Sequence, residues 1–185
     1  MSRHLGPLAI VMATGLIWPC QAWTPDQTRR MEAGEVLVLD QAKPGGGKVE
    51  AGTFVKAAPK LVYELVADPK QAVHFSPGLV GADILQDNGA TKVVRMHAKQ
   101  FGIFDDVSEL DARYQPYSSV TWRQLKRKAK TMSGQWQVEG HGDGTLLTYR
   151  LDVVLAEPVP SFVTRWFLSS SVPNLLKNVR RLLTG

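Results

Sequence analysis

The chain has one cysteine, Cys20, and it lies near the N-terminus. An internal disulfide is therefore excluded, and so is a metal site built on cysteine pairs. Histidine does not fill the gap: His4, His74, His97 and His141 show no HxxxH or HxE spacing. No serine stands in the G-x-S-x-G setting of a hydrolase nucleophile. Gly45-Gly46-Gly47-Lys48 lacks the first glycine and the Ser/Thr of a phosphate loop, and reads as a hairpin loop. Long apolar runs are also missing. The longest, Leu5 to Trp18, is short for a membrane span, and no second one follows.

What is present begins with that run. Arg3 and His4 precede it, and Pro19-Cys20-Gln21-Ala22 follows, with small residues at Cys20 and Ala22. This is the layout of a cleavable export signal, and cleavage is expected before Trp23. Residues 1–22 are read as a signal peptide and the mature chain as periplasmic or secreted, free of cysteine. The competing reading is an uncleaved N-terminal anchor. A lipoprotein signal on Cys20 is rejected, because Trp18 and Pro19 stand where such signals use small residues.

Charge is mildly positive, +5 from 22 Lys and Arg against 17 Asp and Glu. The densest basic stretch is Arg123-Gln-Leu-Lys-Arg-Lys-Ala-Lys130. Its plain reading is the solvated face of a strand and its turn. Its sharper reading is peripheral contact with anionic lipid through Arg123, Lys126, Arg127, Lys128 and Lys130. No nucleic-acid partner is expected, since no binding motif accompanies the charge.

The chain is then read in order. Thr24-Pro25-Asp26-Gln27 is a capping box opening a short helix to about Ala33, so residues 23–34 form an N-terminal helical segment. Glu35–Asp40 and Lys48–Ala57 read as a strand hairpin. Ala58-Pro59 opens a helix through Ala67, and Asp68-Pro69 separates it from a second short helix, Lys70–Phe75. Leu79–Gln86, Thr91–Phe101, Phe104–Tyr114, Val120–Arg127, Met132–Glu139 and Leu146–Leu155 follow as antiparallel strands with tight turns. The end, Ser161–Gly185, repeats apolar residues at helical offsets, with Pro173 predicting two segments or one kinked helix. The fold class is α+β: a curved antiparallel β-sheet wrapped around a long C-terminal helix, with two short helices after the first strands.

That order resembles the START-like superfamily, also called SRPBCC, helix-grip or Bet v 1-like, and within it the coenzyme Q-binding and polyketide cyclase/dehydrase group. The resemblance covers roughly Glu35 to Leu183, within a START-like domain expected over residues 35–185. It is carried by Ala57-Ala58-Pro59-Lys-Leu-Val-Tyr-Glu-Leu-Val-Ala-Asp68, Phe75-Ser-Pro77-Gly78, Gly134-Gln-Trp136 and Asp143-Gly144-Thr145-Leu-Leu-Thr148-Tyr149. It implies a cavity between sheet and helix suited to lipids, quinones, sterols or polyketides. It does not by itself fix an activity.

Candidates for chemistry are few. His97 alternates with Arg95 and Lys99, opposite Val94, Met96 and Ala98, the pattern of a solvent face, although either face of the strand could line a cavity, and an inward His97 would point to an enzyme. Asp105, Glu109 and Asp111 share one side of their strand with Val107 and are expected to pair with the basic strand beside them. Asp106 shares the other side with Phe104, Ser108 and Leu110, where a general acid or base would sit. No catalytic residue, metal or cofactor is assigned. The cavity implied by the resemblance is expected to use Met96, Phe104, Trp122, Trp136, Tyr149 and Trp166 for ligand binding, with Tyr149 or Arg95 orienting a polar head. The leading expectation is an exported START-like protein that binds a hydrophobic small molecule, a lipid or isoprenoid quinone, without catalysis. The alternatives are a cyclase, aromatase or hydrolase in the same cavity, or a membrane or protein interaction module with a collapsed interior.

Overall fold

The computed structural model describes residues 23–43, 45–100, 104–126, 129–155 and 161–185, with backbone alone at 40, 42–43, 100, 104, 126, 129–130, 155 and 161–169. Helix α1 (Pro25–Glu32) starts at the expected box: Gln27 N donates to Thr24 Oγ1 at 3.3 Å, and Thr24 N donates to Gln27 Oε1 at 2.9 Å. Strands β1 (Leu37–Lys43) and β2 (Gly46–Val55) form the hairpin, and helices α2 (Pro59–Ala67) and α3 (Ala72–Phe75) follow. Strands β3 (Leu79–Asp87), β4 (Thr91–Gln100), β5 (Phe104–Gln115), β6 (Ser119–Lys126), β7 (Ala129–His141) and β8 (Gly144–Leu155) complete one sheet. Every neighbouring pair is antiparallel, in the order β1-β2-β8-β7-β6-β5-β4-β3.

Helix α4 (Ser161–Thr184) closes the chain as one helix through Pro173, so of the two expected outcomes the single helix is found. The reason is burial. Val172, Leu175, Leu176 and Val179 follow helical spacing and are all buried, chiefly on β1 and β2. Four such side chains stabilise by roughly 6 kcal/mol even at the low end, against about 3 kcal/mol for an interior proline. Asn178 adds a tie, donating through Nδ2 to the Phe75 carbonyl at 3.1 Å. Among the described residues no helix is long and apolar enough to cross a membrane.

The sheet has two unlike faces. On the inner face, Val49 and Ala51 of β2, Val120 of β6, Trp136 and Val138 of β7, and Leu147, Tyr149 and Leu151 of β8 pack with α2, α3 and α4 in one core. On the outer face a smaller cluster holds α1: Met31, Leu37 and Leu146 are buried, with Trp23 and Phe54 against them. Trp23 Nε1 donates to Thr148 Oγ1 at 2.8 Å, locking its indole over β2. Gly52 makes the fit, since a Cβ there would lie 2.6 Å from Trp23 Cζ2 and 2.8 Å from Met31 Sδ.

Candidate functional site

Strand alternation decides which side chains face the helices. On β4 these are Val94, Met96 and Ala98; on β5, Asp106, Ser108, Leu110 and Ala112; on β6, Val120, Trp122 and Gln124. The register joins them into rows. Met96 lies opposite Ser108, Val94 opposite Leu110, Leu110 opposite Gln124, and Trp122 opposite Gly134. Met96 and Trp122 are half-buried and pack against the main core, while Val94 and Leu110 are buried. The result is an apolar wall on β4–β6, beyond the strands on which α4 chiefly rests.

Where this wall meets the helices, aromatic rings form a floor. Trp136 and Tyr149 are paired in register, with ring centroids 4.5 Å apart. Phe75 of α3 meets Trp136 edge-on at 6.0 Å. Burial pushes the Tyr149 phenol well above its ordinary pKa, so it stays protonated and keeps one O–H donor. Tyr114 at the inner end of β5 is pushed up to about 12, first by burial and then by the nearby Tyr63 phenol. Tyr63, on α2, is itself raised by burial and sits edge-on to Tyr117 at 5.6 Å.

The opposite face carries ion pairs in a ladder. His97 Nε2 lies 2.7 Å from Asp105 Oδ1, Lys99 Nζ 3.3 Å from Asp105 Oδ2, and Arg95 Nη2 3.7 Å from Glu109. Asp111 turns to the other neighbour, meeting Arg123 at 3.0 Å. The hydrogen bond from His97 holds the exposed Asp105 carboxyl below its usual range. The expected pairing of these acids is therefore found, divided between β4 and β6. Arg95 is corrected: ion-paired with Glu109 on the outer face, it does not orient a ligand on the inner one. His141 is half-buried, with Nε2 2.7 Å from Glu32 Oε1 of α1; His74 is exposed.

Of the six expected ligand-binding residues, four are placed on one face. Trp136 and Tyr149 lie inside the packed core, and Met96 and Trp122 lie at its margin toward β4–β6. The side chains of Phe104 and Trp166 lie outside the described residues, as do those of Lys126, Arg127, Lys128 and Lys130. Sequence reading missed Gln124, which shares the inner face with Trp122. The signal was the alternation Val120-Trp122-Gln124, hidden inside a stretch read for its charge. A separate depression of about 210 Å³ lies between α1 and β1, lined by Gln27, Arg30, Glu35 and the strand from Val36 to Leu39. It sits at the sheet edge, three strands from β7.

Comparison with solved structures agrees with this architecture. A START superfamily protein from Mycobacterium smegmatis superposes with TM-score 0.66 at 19% identity, covering 75% of this chain and 97% of that one. A STAR-related lipid transfer protein from Xanthomonas axonopodis gives 0.68 at 16% identity, covering 81% and 94%. The Zhui aromatase/cyclase from Streptomyces sp. R1128 gives 0.59 at 19% identity, covering 81% and 98%. These likenesses establish the fold, and they span both a lipid transfer protein and an aromatase/cyclase. No curated protein matches the sequence. The family described as polyketide cyclase/dehydrase and lipid transport matches residues 55–180. The chain belongs to that family and has the helix-grip fold of the START-like superfamily.

Proposed function

We propose that this protein binds a hydrophobic small molecule, a lipid or an isoprenoid quinone, between the inner face of the sheet and α4, and that it does so without catalysing a reaction. One observation carries the reading. The inner face continues past β1 and β2, the main support of α4, and there Met96 and Trp122 are half-buried at the margin of the packed core, with apolar surface that a ligand chain would cover. Each Å² of such surface covered is worth about 25 cal/mol. His97, the histidine that would have suggested proton transfer in a cavity, is on the outer face with Asp105.

The protein acts after export, with residues 1–22 removed. What supports this is Trp23, the first residue after the expected cleavage point. It is already part of the fold through Thr148, Met31 and Gly52. Peripheral contact with anionic membrane through Arg123, Lys126, Arg127, Lys128 and Lys130 belongs to the same reading; the Arg123 side chain remains 66% exposed beside Asp111.

A second reading, a cyclase-, aromatase- or hydrolase-type enzyme in the same cavity, is favoured by Asp106, which shares the inner face and has its Oδ1 buried. Organic extraction of protein purified from its native host, followed by lipid mass spectrometry, separates the cases. One class of unmodified apolar molecule at about one per protein supports binding without chemistry. A mixture of related substrate and product, lost in Asp106→Asn, supports the enzyme. A folded protein that carries no apolar molecule and takes up none contradicts both.

A further inference from the structure

The inner wall of β4–β6 carries one polar side chain that its surroundings do not account for. Gln124 lies opposite the buried Leu110 and on the same face as Trp122. Its Oε1 is fully buried, with no hydrogen-bond partner among the described residues. The strand is shaped to aim it. Leu110 pairs with Gln124 while Glu109 pairs with Lys126, so one extra residue bulges from β6 and Leu125 is turned to solvent, 46% exposed. Bulges re-aim the side chains beside them and recur next to binding sites. Ser108, two residues along β5 from Leu110, brings a buried hydroxyl to the same face.

A buried amide oxygen without a partner destabilises the empty protein, and such groups call for a specific explanation. A ligand that supplies the missing hydrogen bond is one. The chemistry of the groups narrows what that ligand presents. A carboxamide accepts from a hydroxyl through its oxygen, or after a half-turn donates to a carbonyl through its nitrogen. Neither Gln124 nor Ser108 brings a positive charge, and a buried carboxylate needs one. Asp106, on the same face, is acidic. Lys92, also on that face, has its ammonium 2.9 Å from Asp87 Oδ2 and stands over the Tyr114 ring.

We propose that Gln124, with Ser108 beside it, reads the polar end of the ligand. It thereby selects apolar molecules bearing a neutral hydroxyl or carbonyl oxygen, as alcohols, quinols and quinones do, over the same chain ending in a carboxylate. This selection rests on the cavity reading given above and adds the ligand's chemical class to it.

Calorimetric titration of the delipidated protein with 1-decanol and with decanoate, at neutral pH, tests it. Wild type binds decanol at least about tenfold more tightly than decanoate, one good hydrogen bond added to the desolvation cost of the carboxylate. Gln124→Leu narrows that preference several-fold by weakening decanol alone, while the desolvation cost of the carboxylate stays the same in both proteins. The same variant, unliganded, unfolds at a higher temperature than wild type, because the orphaned oxygen is gone; a purely structural glutamine would lower both readings. Equal or tighter binding of decanoate, or a preference as large in Gln124→Leu as in wild type, overturns the assignment and leaves the cavity reading standing. Saturable binding of neither ligand to folded wild type removes the cavity reading, and this one with it.

Discussion

The indole of Trp122 lies over the bare backbone of Gly134. A Cβ at Gly134 would stand 2.6 Å from Trp122 Cε2 and 2.8 Å from the Arg150 carbonyl oxygen. The two residues are also register partners on β6 and β7. The glycine is thus what lets a large aromatic turn flat onto the inner face between the packed core and the wall of β4–β6.

Gly134→Ala should destabilise the fold by about 1–3 kcal/mol, the usual cost of forcing a methyl into a filled site. It should also displace Trp122 and weaken ligand binding more than the stability loss alone requires. Thermal unfolding and ligand titration of the same variant check both effects. An unchanged unfolding midpoint would mean that Trp122 moves aside freely.

The inner tyrosines set an alkaline limit. Burial raises Tyr63, Tyr114 and Tyr149, with Tyr114 at about 12 against an unfolded value near 10. Above the unfolded pKa the unfolded chain gives up protons that the folded chain keeps, so stability falls as pH rises. The window for Tyr114 is about pH 10 to 12. Denaturant unfolding across this range should show the decline, and Tyr114→Phe should make it shallower while leaving stability at lower pH nearly level. A parallel decline in both proteins would remove Tyr114 as a cause.

Much of this was legible in the sequence, for reasons that differ by element. Period-two alternation placed His97 and Lys99 outside and Trp136 inside, because each strand has one dry face, and the same alternation rules out Arg95 as the group that orients a ligand's head. The capping box at Thr24 and Gln27 was readable because it is a local exchange of hydrogen bonds. Contacts between distant residues were not readable. Gly52 is required by Trp23 and Met31, and Gly134 by Trp122, and nothing near either glycine in sequence says so. The bulge at Leu125 arises from pairing between β5 and β6, so the aim of Gln124 was hidden too. At Pro173 a local rule leaves two outcomes open, two segments or one kinked helix, and the burial of Val172, Leu175, Leu176 and Val179, which that rule does not see, keeps one helix.

Pro173 is predicted to act as a hinge in α4. Its nitrogen has no proton to give the carbonyl of residue 169, so the ladder is weakest there. Pro173→Ala should restore that bond, stabilise the ligand-free protein by up to about 3 kcal/mol, and slow ligand uptake measured by stopped-flow fluorescence. Equal uptake rates in variant and parent would place the route of admission elsewhere.

The central claim is that an apolar ligand lies against the inner face, and tryptophan fluorescence reads that face directly. Trp136 is in the floor with Tyr149 and Phe75, whereas Trp23 is bonded to Thr148 on the far side of the sheet. Titration of the folded, delipidated protein with a short-chain quinone should give saturable quenching. Trp136→Phe should remove much of that quenching, and Trp23→Phe should leave it in place. Losing the buried contact in Trp136→Ala should weaken binding by about 1–3 kcal/mol. Quenching that never saturates, or that survives in Trp136→Phe and disappears in Trp23→Phe, would contradict a ligand held between the sheet and α4.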